Sequence, residues 1–464
     1  MSFRHRISRE QLRSARPLLV AWLASRALLL LFLYNIVPYI DHFSVVGDVQ
    51  AYNKWSLVFA HGHFPVNDPQ WQYPPGASVF MILPRLAKSV TGMSYYSAFY
   101  LMALLCDLVV FLLVLAACRR TAAKVAADGR VPPGDLKIDY TGAWAYLAAI
   151  FALGPMVFAR YDICVTMVAT IALVLTGRTA VRTWRMRGAA IGVGAIMKVW
   201  PALLLFGLPK RSDGRRALVW TVIGAVVPTL ILMAALPGAL GFLREQGDRG
   251  LEIESVPAMP FMIARHFGYH GTIKHAYGAF EIVGPGLGLI STACELLTLA
   301  GLAWLLVWRR KANLTPGRWS TGLFYDASLV AVLISIITSR VLSPQYLIWV
   351  VGLIALCLTL TPLGRNGTVL ARQCWMLLAA ISVTQIEFPW LFPRLVEGSI
   401  WAALLVGARD LLLVVATWQA ARALWRAAAA NVPARADEPV GEPVPQIHPE
   451  PAPPQLQGVP DQVS

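Results

Sequence analysis

The chain has 464 residues, of which 57% are hydrophobic and only 14% charged, with a net charge of +15 at neutral pH. A soluble protein carries about a quarter charged residues, and runs near the ~20 apolar residues that cross a bilayer recur along this chain. A soluble enzyme is thereby excluded, as is a porin-like barrel, because strand-period alternation is missing.

The positive charge sits in short arginine clusters between apolar runs, the pattern of positive-inside loops, without the aromatic-basic module of a nucleic-acid binder. Cys106, Cys118, Cys164, Cys294, Cys357 and Cys374 lie in or beside apolar runs and form no C-x-x-C. They read as small hydrophobes rather than as metal or disulfide ligands. These features predict an all-α polytopic membrane protein with about 11–13 membrane segments and a long first external loop.

"MSFRHRISREQLRSAR", residues 1–16, is a basic and therefore cytoplasmic N-terminus. The apolar run over 17–39 is too long for a signal-peptide core and lacks an A-x-A site, so it predicts a first membrane helix leading outward. Residues 40–94 are poor in Lys and Arg until Arg85 and Lys88 and predict an external loop. Within it, residues 75–92 after "QYPPG" form a short apolar piece, re-entrant or interfacial rather than spanning.

Later loops alternate in charge. "CRRTAAKVAADGR", "TGRTAVRTWRMRG", "KRSDGRR", "VWRRK" and "GRNGTVLAR" predict cytoplasmic turns, whereas "ARYD", "TSRVLSPQY" and "EFPWLFPR" predict external ones. Residues 189–209 lie between two cytoplasmic clusters and predict a broken hairpin, bent near Lys198 by Pro201 and opening outward. A helix over 216–237 leads to a second external loop, 238–281, followed by helices near 283–308, 321–339, 342–361, 371–388 and 395–421. The membrane domain thus occupies 17–427. Residues 428–464, rich in Pro and acidic residues, predict a disordered cytoplasmic tail.

The costly polar residues converge on the external face: Asp48, Arg160 and Asp162, Lys198, Glu252, Glu254 and Ser255, and Arg340 with "SPQY". Each has a plainer reading. Asp48 caps a loop helix; Arg160 and Asp162 form a local ion pair; Lys198 snorkels. His266, His270, Lys274 and His275 have the scattered spacing of loop residues, not of metal ligands. Arg26, Asp107, Glu295 and Arg409-Asp410 read as structural pairs or boundary charges.

"GDVQAY", "GHFPVNDPQWQYPPGASVFMILP", "RYD", "GVGAIMKVWP", "RGLEIESVPA" and "SRVLSPQYLIW", in that order over roughly residues 20–360, resemble recurring segments of the GT-C membrane glycosyltransferases. The similarity is strongest to glycosyltransferase family 87, the polyprenyl-phosphate-mannose-dependent α-mannosyltransferases. It implies a GT-C-type helix bundle and an inverting, metal-independent hexosyltransferase without cofactor, acting at the non-cytoplasmic face of the cell membrane. The donor would be a polyprenyl-phosphate-linked sugar, the acceptor a glycolipid or cell-envelope glycan, with membrane lipids as the surroundings.

By this resemblance Asp48 is the base that takes the acceptor's proton, with Glu254 or Asp162 next in line. Arg340, Lys198 and Arg160 would bind the donor phosphate. Asp162, Glu254, Ser255, Gln345, Tyr346, Tyr52 and Tyr73 would contact substrate, together with Trp55 and Trp71, although aromatics here also suit ordinary interface anchors. The first outer loop has no D-x-D, which fits a reaction without metal. The rival readings are a flippase or other transporter of lipid-linked sugars and a structural membrane subunit. Against the transporter stands Asp48, an unpaired carboxylate for which a carrier has no special need.

Overall fold

The computed structural model describes residues 9–39, 42–66, 68–128, 137–176, 179–243, 250–315 and 317–430. Most of the expected acidic tail, residues 431–464, and the first half of the basic N-terminus, residues 1–8, lie outside these. Among the described residues seven helices are long and apolar enough to cross a membrane, and three shorter apolar helices accompany them. The protein is an all-α polytopic membrane protein.

α1 (Arg9–Leu33) starts inside the basic stretch and ends six residues before the expected boundary. There Asn35 takes a left-handed φ of 53° ahead of Pro38, and the helix cannot continue. α2 (His42–Ala60) and α3 (Ser78–Thr91) are the two longer helices within residues 40–94, the expected first external loop. α3 has 14 residues and rises only about 21 Å, short of the ~30 Å hydrocarbon core. Exposed Val79, Leu83, Leu86 and Val90 form one apolar stripe along it, as an interfacial helix requires.

α4 (Tyr95–Ala127) crosses next and packs on α5 (Thr141–Leu153) and α6 (Asp162–Val174). Arg26 of α1 pairs with Asp107 of α4 at 2.9 Å, and Trp22 and Tyr146 donate to the same carboxylate. This is the structural pairing expected for those charges. Buried and fully hydrogen-bonded, the pair fixes how α1 docks, because removing either partner would leave a charge stranded in the interior.

The hairpin of α7 (Ala180–Met197) breaks at Lys198, whose φ of −159° and ψ of 138° are extended, and continues as a 3-10 stretch, Trp200–Gly207. Bend and position match the expectation from Trp200-Pro201. α8 (Arg211–Ala235) packs closely on α7 because Gly188 and Gly192, four residues apart, let the backbones meet. A Cβ on either would come within 2.1 Å of Ala217 O or 2.2 Å of Thr221 O.

Residues 238–281, the expected second external loop, contain regular structure. β1 (Leu251–Glu252), α9 (Met259–Ala264), β2 (Thr272–Ala276) and β3 (Ala279–Val283) fold there, with an antiparallel sheet in the order β1-β3-β2. α10 (Leu287–Ala312), α11 (Thr321–Ile337), α12 (Ile348–Thr359), α13 (Ala371–Gln385), the short α14 (Phe392–Val396) and α15 (Ile400–Ala430) complete the bundle. Every residue of α12 is buried, which puts it at the centre. α15 starts later and runs further than the expected 395–421, its last turns carrying Arg422 and Arg426 beyond the apolar window.

Candidate active site

α2 turns Val45, Val49, Tyr52 and Trp55 into the core, a helical spacing of one face. Asp48 lies on the flank of that face, its side chain 35% exposed. It is the seventh residue of the helix and so is not an N-cap; the capping alternative is overturned. Nor is it unpaired, as the argument against a transporter assumed: Arg160 Nε stands 2.7 Å from Asp48 Oδ2.

Arg160 follows a 3-10 stretch, Gly154–Ala159, in extended conformation, two residues before α6 begins at Asp162. Its guanidinium also donates from Nε to Gln345 Oε1 at 2.7 Å and from Nη1 to Val45 O at 2.8 Å. One arginine therefore ties α2, the 154–160 stretch and the segment before α12 together. Its fork of donors is what permits several acceptors at once.

Asp162, fully buried at the start of α6, does not pair with Arg160 as the local reading had it. Its Oδ1 accepts from Lys198 Nζ at 2.5 Å and from Trp349 Nε1 at 2.5 Å. The Lys198 ammonium lies 5.3 Å from the Tyr161 and Tyr346 ring centres and 5.0 Å from that of Trp349, within cation–π range. Only 12% of its side chain is exposed, so snorkelling to water is not its role. Tyr346 stacks on Trp349 at 4.0 Å, and Trp200 stacks on the same indole at 5.9 Å.

Asp162 Oδ2 and Trp200 Nε1 are buried without a hydrogen-bond partner among the described residues. Nearly all such groups are satisfied in a folded interior. Both belong to residues that contact Trp349, Asp162 at its Nε1 and Trp200 on its ring, so polar capacity is left over beside this indole.

Tyr52 OH reaches Asp48 Oδ2 at 3.5 Å, and the Tyr52, Tyr73 and Tyr161 rings lie 5.3 to 6.4 Å apart. Trp55 and Trp71 extend this wall, with Trp55 donating to Asp68. Burial, reinforced by the nearby carboxylates, pushes the Tyr52 and Tyr73 phenols up, so both stay protonated donors at neutral pH.

A second group adjoins the first through the segment 339–347. Ser343, two residues before Gln345, donates to Glu252 Oε1 at 2.5 Å, and Glu252 N donates to Arg340 O at 3.0 Å. Arg340 Nη1 lies 3.3 Å from Glu295 Oε1, so the arginine meets α10 rather than the Asp48 pair. Glu254 and Ser255 are buried. The Glu254 backbone carbonyl accepts from Arg409, which also binds Glu387 at 3.1 Å and Asp410 at 2.9 Å. Burial raises the Glu254 carboxyl well above the usual range; Glu387 and Glu252 add to the rise and Arg409 opposes it.

Ser343 belongs to the "SPQY" stretch that the sequence marks, whereas Trp349 is not among the residues that it marks. Trp349 stood three residues after Tyr346 on the same helical face, which was the available signal. His266, His270, Lys274 and His275 lie around the β-hairpin. Among the described residues no group of three or more His, Cys, Asp or Glu is disposed to hold a metal ion.

The bundle is polarised. The basic loops gather at one end, where Arg120 donates to Val174 O, Arg187 to Leu175 O and Arg309 to Phe206 O. The site residues lie at the other, since α6 runs from Asp162 to Val174 and α7, which carries Arg187, ends at Met197 just before Lys198.

No curated protein and no solved structure matches the chain. The model of glycosyltransferase family 87 matches residues 71–335, which include Tyr73, Arg160, Asp162, Lys198, Glu254 and Ser255, while Asp48, Tyr52, Arg340, Gln345 and Tyr346 lie outside the matched stretch. Covering more than half of the chain, that match shows that this membrane protein belongs to glycosyltransferase family 87.

Proposed function

We propose that the protein transfers a sugar, mannose by the resemblance, from a polyprenyl-phosphate donor to a hydroxyl of a glycolipid or cell-envelope glycan. The transfer takes place on the non-cytoplasmic face of the cell membrane, with inversion and without a metal. The observation that carries this reading is the juxtaposition of Asp48 with Arg160, beside Lys198 and an aromatic wall. The clustering of basic loops at the opposite end supports the orientation.

In this mechanism the acceptor oxygen attacks the anomeric carbon while the bond from that carbon to the phosphate oxygen breaks. The hydroxyl proton passes to Asp48, and the polyprenyl phosphate leaves with the electron pair. Its charge grows by one unit as it departs, so fixed cations act mainly in the transition state. Lys198 has three donors, of which Asp162 takes one direction. Arg160 holds the Asp48 carboxylate in one orientation, and Arg340 receives the phosphate at the side of the second group. The aromatic wall stacks against the sugar.

Membership of a glycosyltransferase family speaks against a transporter. The test is to incubate purified protein with radiolabelled polyprenyl-phosphate sugars and membrane lipids. Label appearing in a new glycolipid or glycan supports the proposal; movement of intact donor across vesicles with no transfer would replace it with the transporter.

A further inference from the structure

At the basic end, away from the site, α10 and α15 line an open cavity of roughly 480 Å³ formed by Trp304, Trp418, Ala421, Arg422, Trp425 and Arg426. Its walls are fixed. Trp308 of α10 donates to Leu424 O of α15 at 3.1 Å in the interior, and Trp304 stacks on Trp425 at 5.8 Å. Lys311 Nζ caps the Trp425 ring at 4.1 Å, and the Arg422 guanidinium lies 4.5 Å from the Trp418 centroid. Among the described residues neither Arg422 nor Arg426 forms an ion pair, and no carboxylate lines the cavity.

Outward-facing Trp401, Leu404, Leu411 and Trp418 follow one stripe of α15, which ends at Arg422. The two tryptophans are about 26 Å apart along the helix, close to the thickness of a hydrocarbon core, as interfacial belts should be. The cavity thus sits at headgroup depth, below an apolar track of acyl-chain length. Basic pockets between membrane helices select anionic headgroups.

We propose that this cavity binds an anionic membrane phospholipid, with its phosphate between Arg422, Arg426 and Lys311 and its acyl chains along the stripe of α15. The tryptophans supply apolar walls that a free anion would not need. This site stands apart from sugar transfer and does not rest on it.

Native mass spectrometry of the full chain, offered equal phosphatidylglycerol and phosphatidylcholine in detergent, tests the assignment. Wild-type protein should retain phosphatidylglycerol in several-fold excess. Arg422→Gln/Arg426→Gln should bring the two lipids close to parity without a change in lipid-free melting temperature. Arg182→Gln/Arg372→Gln, which removes the same charge elsewhere at the basic end, should keep the preference. Equal retention of both lipids by wild type, an unchanged preference in the first variant or equal loss in the control would overturn the proposal. A preference that emerges only after deletion of residues 432–464 would assign the cations to the acidic tail and overturn it as well.

Discussion

Arg160 Nε lies 2.7 Å from Asp48 Oδ2 and 2.7 Å from Gln345 Oε1, so one guanidinium sets the position of the carboxylate relative to the segment before α12. A lysine ammonium cannot hold these acceptors and Val45 O together. Arg160→Lys should therefore lower turnover roughly 10²-fold, the cost of a misplacement near 1 Å. Steady-state transfer assays check this; turnover near wild type would mean that Asp48 needs no such holding.

Lys198 and Asp162 offer a separation of structural from functional roles. Lys198→Met strands a fully buried carboxylate and should cost about 3–5 kcal/mol, read as a lower melting temperature in detergent. Lys198→Met/Asp162→Asn removes both charges and should regain most of that stability while donor KM stays high. A double variant with wild-type KM would make the pair structural only.

For Arg340, the proposed phosphate contact predicts that Arg340→Ala raises donor KM more than acceptor KM. Arg340→Lys should recover only part, as an ammonium lacks the planar fork. Its ion pair with Glu295 is half open to solvent on the glutamate side, so melting should change little. Equal defects toward both substrates would remove Arg340 from the donor site.

Glu254 carries a pH prediction. Burial raises its carboxyl in the folded state, with Glu387 and Glu252 adding and Arg409 opposing. The folded protein then holds a proton that the unfolded chain releases in the ordinary carboxylate range. Stability from this group is greatest at acid pH and falls as pH rises from that range towards the raised value. Glu254→Gln mimics the protonated acid and should flatten that fall, leaving the melting temperature at pH 8 no lower than wild type. A steeper fall in the variant would reverse the assignment.

Much of the framework was legible because it rests on local rules. The apolar runs gave the bundle, and Trp200-Pro201 gave the break at Lys198. Partners were not legible. Nothing local joins Asp48 to Arg160 or Asp162 to Trp349, since only the packing of α2, α6, α7 and α12 brings them within reach. The β-hairpin had a signal that the overall apolar pattern outweighed: Tyr277-Gly278, with φ of 52° and 77°, is a two-residue turn between short alternating strands. Helix ends differ from expectation where charged turns extend an apolar core, as at Arg9 and from Arg422 onward.

The central claim is that Asp48 takes the acceptor's proton. Turnover of Asp48→Asn with a polyprenyl-phosphate sugar, measured beside donor binding, tests it most directly. The asparagine keeps size and some hydrogen bonding but cannot accept the proton, so turnover should fall at least ~10²-fold with donor affinity nearly unchanged. Asp48→Glu should rescue poorly, because the added methylene shifts the carboxylate. A folded Asp48→Asn protein that transfers sugar at the wild-type rate would contradict the account and move the base to Asp162.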